Sequence, residues 1–142
     1  MNPSQPLHGS VVARHGPHGR DGVLIVGPSG AGKSDLALRL VGRRWRLVGD
    51  DYVHVFPSGA GLFAAAAPAI AGLIEVRGQG PRPVCPAPPT RLVLLVDLAG
   101  GPRERLPEPE FRSIQGRDLP VLRLDPFETS AVEKVAAALG RL

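Results

Sequence analysis

The chain of 142 residues has a mass of 14.9 kDa, the size of one ordinary domain. Hydrophobic residues make up 43% of it but aromatic residues only 4%, which excludes wholesale disorder and predicts a core of valine, leucine, isoleucine and alanine. Basic residues exceed acidic ones by only four, 17 against 13, and they are scattered, so no nucleic-acid-binding stripe is predicted. No apolar run approaches the roughly 18 residues of a membrane span, so none is predicted.

The amino terminus and the cysteine content both point to the cytoplasm. Residues 1–9 lack the basic and apolar regions of a secretory signal. The single cysteine, Cys85, excludes a disulfide framework and a cysteine-based zinc site. We therefore expect one cytoplasmic domain that covers residues 1–142.

The first half of the chain predicts strands interrupted by one helix. A short strand, a polar turn and a second strand buried on both faces are predicted at residues 7–13, 14–22 and 22–26. A helix is predicted next, because apolar residues recur at helical spacing over residues 33–44. A further strand is predicted at residues 46–51, running directly into 52–56.

The second half contains more glycine and proline. It predicts a short strand and then a short helix within 57–72, a loop at 81–89, a buried strand at 91–98 and an irregular segment at 99–119. A strand at 120–124 precedes a last helix that ends at Gly140. Asp125 at its N-cap, Pro126 after it and Glu128 at N3 would form a capping box.

One loop carries the strongest signal for function. Residues 27–34, GPSGAGKS, fit the pattern G-x-x-x-x-G-K-[ST] between a buried strand and an amphipathic helix. Its glycines allow successive N–H groups to surround an anion, the lysine adds a cation, and the serine hydroxyl can ligate Mg²⁺. The predicted nucleotide-binding residues are Gly27, Pro28, Ser29, Gly30, Ala31, Gly32, Lys33 and Ser34. Together with the strand order, this loop predicts an α/β fold: a P-loop domain with a largely parallel central sheet flanked by helices.

Phosphoryl transfer also needs a second Mg²⁺ contact and a group that handles the nucleophile. The acidic candidates at predicted strand ends are Asp50, Asp51, Glu75 and Asp97. Asp97 follows an apolar run and resembles a Walker B carboxylate, although a turn-forming role is the alternative. The chain lacks an N-K-x-D segment, which disfavours a GTPase.

Four segments together resemble a known family. The run LHG at 7–9, the loop GPSGAGKS, the pair DD at 50–51 and IEVRGQG at 74–80 are similar, in order and spacing, to the catalytic domain of HPr kinase/phosphorylase. The resemblance covers most of residues 7–98. It implies an enzyme that uses ATP or pyrophosphate to phosphorylate a serine of HPr, the phosphocarrier protein of the sugar phosphotransferase system. It also implies a reverse reaction with inorganic phosphate.

The resemblance implies roles for individual residues. Lys33 matches the phosphate-binding lysine, and Ser34 and Glu75 match the two Mg²⁺ contacts. Asp51 matches the acid/base that exchanges a proton with the substrate serine. His8 matches a catalytic histidine, and Arg105 is placed as an arginine of a catalytic mobile loop.

The resemblance also has limits. Family members usually carry a separate amino-terminal domain, so this chain resembles a stand-alone catalytic domain. The family's loop linked to dephosphorylation corresponds only to residues 119–128, where Arg123 alone could stand in. The reverse reaction and homo-oligomer formation are therefore left open. A kinase of a small metabolite and a non-catalytic nucleotide-binding regulatory module remain the alternative functions.

Overall fold

The computed structural model describes residues 5–17, 19–100 and 105–140. Within them the strands are β1 (Gln5–His8), β2 (Ser10–Gly16), β3 (Gly19–Val26), β4 (Arg46–Gly49), β5 (Tyr52–Ser58), β6 (Gly61–Ala66), β7 (Leu73–Val76), β8 (Gly80–Pro83), β9 (Thr90–Asp97), β10 (Phe111–Ile114) and β11 (Arg117–Arg123). The helices are α1 (Lys33–Val41), a short 3-10 helix (Pro68–Ile70) and α2 (Ala131–Ala138). No helix in this part of the chain has the length and apolar character needed to cross a membrane.

The main sheet is mixed, so the prediction of a largely parallel sheet is wrong. Among the described residues, nine strands join in the order β1-β5-β6-β9-β3-β2-β4, with β11 also on β9 and β10 on β11. Only β3 with β9 and β9 with β11 pair in parallel. The other six pairs are antiparallel. Three of them, β2 with β3, β5 with β6 and β10 with β11, are hairpins of consecutive strands, which short turns can join only in the antiparallel direction. β7 and β8 form a separate antiparallel hairpin.

Both faces of the central strands are buried, as predicted for residues 22–26. Val23 and Ile25 of β3 pack in one hydrophobic cluster with residues of α1 and α2. Leu24, between them, packs in a second cluster with Val53 and Val55 of β5. Side chains alternate between the faces of a strand, so helices cover one face and strands cover the other.

The helix predicted at 33–44 is confirmed but ends earlier, at Val41. Arg44 has a φ of 71°, a left-handed conformation that ends the helical path. The strand predicted from 46 to 56 is likewise divided into β4 and β5. The break falls at Asp50 and Asp51, where Asp51 has a φ of 68°.

The predictions for turns and loops were less accurate than those for the central strands. The turn at 14–22 is largely a hairpin, because β2 continues to Gly16 and β3 begins at Gly19. The loop at 81–89 begins within β8, which pairs with β7. The segment 99–119 is not wholly irregular, since β10 and the start of β11 form a hairpin there; residues 101–104 lie outside the described residues. The strand and short helix within 57–72 are confirmed as β6 and the 3-10 helix.

The predicted capping box is also wrong. The last helix begins at Ala131, with Ser130 as its N-cap. Asp125 Oδ1 instead accepts a hydrogen bond of 2.9 Å from the Phe127 N–H. This is the side-chain-to-backbone turn that aspartate forms readily, and it competes with helix initiation.

Gly22 offers a test of the packing between β3 and β9. A Cβ there would lie 2.7 Å from the backbone oxygen of Arg91, whereas one on Gly100 would meet nothing within 4 Å. Gly22→Ala should therefore lower the free energy of unfolding by about 1–3 kcal/mol, the usual cost of overpacking. Gly100→Ala should change it by less than about 0.5 kcal/mol. Denaturant unfolding measures both, and equal effects would contradict this close approach.

Candidate functional site

The loop between β3 and α1 is shaped by glycine. Gly30 and Gly32 have φ angles of 81° and 102°, which glycine adopts without the steric cost that other residues incur. Leu36 N–H donates to Gly32 O at 2.9 Å, so α1 begins directly after the loop. The loop therefore lies at the positive end of the α1 dipole, where an anion is stabilised.

Lys33 lies across this loop and is only 7% exposed. Its Nζ donates to Gly27 O at 2.9 Å and to Pro28 O at 3.0 Å. Both acceptors are carbonyls of the loop, so a positive charge is held over the backbone that the glycines bend. The contiguous strand, loop and helix predicted from the motif are confirmed.

Asp50 is a buried carboxylate, 3% exposed, at the end of β4. Ser10 Oγ of β2 donates to its Oδ1 at 2.6 Å, and Ser34 Oγ of α1 lies 2.9 Å from each of its oxygens. The backbone N–H of Glu75 in β7 donates to Oδ2 at 2.9 Å. The Asp50 carboxylate therefore joins β2, α1 and β7 to β4. It also links the loop at residues 27–34, the phosphate-loop motif, to the rest of the site.

Asp51 points the other way, and its side chain is 63% exposed. His8 Nε2 lies 3.2 Å from its Oδ1, and this ring nitrogen donates because a carboxylate only accepts. The His8 ring also packs against Tyr52, with ring centroids 5.1 Å apart. The left-handed φ of Asp51 is uncommon outside glycine and costs of order 1 kcal/mol or more, as is frequent at functional sites.

A cleft of about 310 Å³ opens beside these two carboxylates. Ser34, Asp50, Asp51 and Glu75 line it together with apolar residues of the 3-10 helix and β7. The structure therefore brings the predicted metal and acid/base residues to one place. Another cleft, of about 680 Å³, lies at the amino ends of β3 and β9 and contains none of the predicted site residues.

Asp97 is also buried, 5% exposed, but its oxygens are already occupied. Ala99 N–H donates to Oδ1 at 2.8 Å, and Arg112 Nη2 donates to Oδ2 at 2.7 Å. Arg123 lies 3.8 Å away and is itself held by Glu110. Asp97 thus binds its own turn and the β10–β11 hairpin, while Asp50 is the carboxylate that contacts Ser34.

These partners set the ionisation of Asp97. Burial acts to raise the pKa of Asp97, but the hydrogen bonds from Ala99 and Arg112, together with the arginine charges, outweigh it. The pKa therefore lies below its ordinary value of 3.8. Asp97 stays ionised and paired at neutral pH.

Arg105 is not brought to the cleft by any contact. It is exposed, and within the described ranges no hydrogen bond or ion pair involves its side chain. The described residues also contain no group of three or more histidine, cysteine, aspartate or glutamate side chains arranged to hold a metal ion. Magnesium sites commonly use one or two protein carboxylates together with substrate phosphates and water, so this cleft has the donor set that such a site needs.

Comparison with known proteins now identifies the family. The family model described as the HPr Serine kinase C-terminal domain matches residues 1–82, more than half of the chain. The chain belongs to this family. The matched range contains the phosphate-loop motif, both aspartates and β7.

Individual relatives agree over the same part. The chain is 44% identical over 81 residues to the HPr kinase/phosphorylase of Exiguobacterium sibiricum, which covers 56% of this chain and 25% of that protein. It is 46% identical over 77 residues to the enzyme of Levilactobacillus brevis, covering 54% and 24%. The match therefore spans about a quarter of the length of these curated relatives.

The fold agrees over nearly the whole chain. The solved structure of the Hpr(Ser) kinase/phosphatase from Coxiella burnetii superposes with a TM-score of 0.77 at 20% identity. The superposition covers 96% of this chain and 94% of that chain. The HPr serine kinase domain fold thus extends beyond residue 82.

Two side-chain contacts in this HPr serine kinase domain were not predicted from the sequence. Ser10 is fully buried against Asp50, and Arg112 is bound to Asp97. Neither belongs to a recognisable motif, and their partners lie 40 and 15 residues away along the chain. The pairing of β2 with β4 would have been needed to place Ser10 beside Asp50.

Asp50→Asn tests the hydrogen-bonded centre. The variant replaces one accepting oxygen with a donating NH₂, which cannot satisfy Ser10, Ser34 and the Glu75 N–H together. We expect a loss of about 1–3 kcal/mol in the free energy of unfolding, measured by denaturant titration. The exposed Asp118→Asn should change it by less than about 0.5 kcal/mol, and an equally small effect at Asp50 would contradict this arrangement.

Asp97→Asn should show a pH signature. A carboxylate with a lowered pKa in the folded state stabilises above its ordinary pKa, and this contribution is lost as pH falls through the lowered value. The variant should therefore be less stable than the parent at pH 7, and the difference should shrink below about pH 3.8. Unfolding curves between pH 7 and 2.5 measure the difference. A difference that does not vary with pH would show that the ionised form is not what binds Arg112.

Proposed function

We propose that this domain is a Mg²⁺- and ATP-dependent kinase of a serine on HPr or an HPr-like phosphocarrier protein. The observation that carries the proposal is that two adjacent aspartates have different surroundings at one cleft. Asp50 is buried against Ser34 of the phosphate-loop motif, and Asp51 is exposed at the same cleft. Phosphoryl transfer needs a metal and phosphate site and a neighbouring group that receives a proton, and these elements supply both.

The phosphates of ATP would lie in the loop at residues 27–34. Gly30 and Gly32 allow its N–H groups to turn toward an anion, at the positive end of α1. Lys33 is held close by loop carbonyls and would exchange these weak partners for phosphate oxygens. Pyrophosphate or inorganic phosphate would use the same donors, because the loop N–H groups and the Lys33 ammonium bind phosphate oxygens whether or not a nucleoside is attached.

Magnesium would be held by the Ser34 hydroxyl and by carboxylate oxygens of the cleft. Glu75 lines the cleft, and Asp50 lies 2.9 Å from Ser34 Oγ. Both residues therefore fit the family's metal site, with Glu75 as the predicted ligand and Asp50 as a direct ligand or the acceptor from a bound water. The ion would supply a charge that stabilises the transferred phosphoryl group.

Asp51 would take the proton of the substrate serine. Its side chain is open to the cleft, and the His8 Nε2–H orients one oxygen while the other remains available to a hydroxyl. His8 acts in this arrangement as a positioning residue rather than as the base. The proposed role of Arg105, the reverse reaction and homo-oligomer formation rest on the resemblance alone. The proposed cytoplasmic location rests on the sequence of residues 1–9 and on the single cysteine.

Asp51→Asn is the decisive variant. Asparagine tolerates the left-handed backbone at this position, so the substitution removes basicity without changing the turn. General-base catalysis contributes about 10²–10⁴-fold, so transfer from labelled ATP to purified HPr should fall by about a hundredfold or more. Affinity for ATP should remain close to that of the parent. Asp118→Asn serves as the matched control and should transfer at the parental rate.

Each other outcome has a distinct meaning. A parental rate for Asp51→Asn would exclude Asp51 as the base, and a collapse of ATP affinity would instead place Asp51 in the metal site. Transfer must also disappear when the acceptor serine of HPr is replaced by alanine. Phosphorylation of a small metabolite but not of HPr would favour a metabolite kinase, and ATP binding without any transfer would favour a regulatory module.

A further inference from the structure

Phe127 is an exposed aromatic residue beside the phosphate-loop motif. It lies in the turn between β11 and α2, and 69% of it is exposed to solvent. The turn is firmly held, because Asp125 Oδ1 accepts the Phe127 N–H and the Arg39 guanidinium of α1 donates to Pro126 O. An exposed aromatic ring on a fixed turn is a preorganised stacking surface.

The ring lies directly against the loop. A Cβ placed on Gly32 would be 3.3 Å from Phe127 Cζ and 3.2 Å from Pro126 Cγ. Gly32 is thus constrained twice, by its φ of 102° and by this contact. The Phe127 ring therefore adjoins the loop that is predicted to bind phosphate.

Together the loop and the turn enclose a cleft of about 450 Å³. Pro28, Ser29, Gly30 and Ala31 form one side, and the turn with Phe127 forms the other. This cleft is separate from the one that contains Asp50 and Asp51, although both border the same loop. A ligand with phosphates in the loop could extend an attached group into the Phe127 cleft without entering the acceptor side.

We propose that the Phe127 cleft binds the base of the nucleoside triphosphate, stacked on the Phe127 ring. The proposal rests on the proposed function, because it requires the phosphates to occupy the loop. Base stacking on an aromatic side chain depends on the π-face and not on a particular edge, so it needs no further hydrogen-bonding residue. Phe127 would then make the domain bind a nucleotide more tightly than an inorganic polyphosphate, because only the nucleotide has a base to stack on the ring.

The test compares ATP with inorganic tripolyphosphate, which carries the same number of phosphates and no base. Isothermal titration measures both dissociation constants, with Mg²⁺ present, for the parent, Phe127→Ala and the matched control Phe111→Ala, which removes another exposed phenylalanine. Phe127→Ala should weaken ATP binding by about 5- to 100-fold and leave tripolyphosphate binding unchanged. Phe127→Trp should restore ATP affinity, and Phe111→Ala should change neither constant.

The controls separate the two proposals. If the parent binds neither ligand, the phosphate site and with it the proposed function fail. If the parent binds both ligands equally well, or Phe127→Ala weakens neither or both alike, the base does not stack on Phe127 and this inference is overturned. Unchanged tripolyphosphate binding by Phe127→Ala also shows that the variant is folded, so a selective loss for ATP cannot come from unfolding.

Discussion

The buried carboxylate of Asp50 is the constraint on which the site depends. Removing an ionised group from water is costly unless hydrogen bonds replace the lost hydration. Here the hydroxyls of Ser10 and Ser34 and the Glu75 N–H replace it, and each comes from a different element. These three donors are neutral, so a cation bound nearby would offset more of the desolvation cost than they do. Hydrophobic packing of Leu36, Ala37 and Leu40 holds α1 against the sheet, and the contact between Asp50 and Ser34 fixes the start of this helix beside the cleft.

The sequence was most informative where the relevant contacts are local. The loop, the strand before it and the start of α1 are contiguous, so pattern and propensity together were enough to predict them. Ser34 was assigned from the loop motif, and the roles of Asp51 and Glu75 came from the family resemblance; the structure brings all three to one cleft. Ser10 and Arg112 were missed because their roles arise only when distant strands pair. Asp97 illustrates the reverse problem: its place after an apolar strand suggested a metal ligand, yet the β10–β11 hairpin occupies its carboxylate.

The direction of the strands was the main error about the fold. A continuous apolar run indicates that both faces are buried, which holds for β3 and β9. It does not show whether neighbouring strands run parallel, because strand direction depends on how the chain connects the strands and on which strands pair. Here one face is covered by other strands rather than by helices, an arrangement that gives the same apolar pattern. Likewise the spacing of Asp125 and Glu128 suits a capping box, but the local Asx turn is formed instead.

The left-handed backbone at Asp51 implies a conflict between stability and the proposed activity at this position. Asp50 is buried, whereas Asp51 has a positive φ and an exposed side chain, so two chemically identical neighbours have different surroundings. Glycine would adopt this conformation without the steric cost that aspartate incurs, so replacing Asp51 by glycine would relieve the local strain, although it would also make the unfolded chain more flexible. Under the proposed role, that replacement would also remove the base. A substitution that relieves the strain at this position would therefore, under the same role, also abolish turnover.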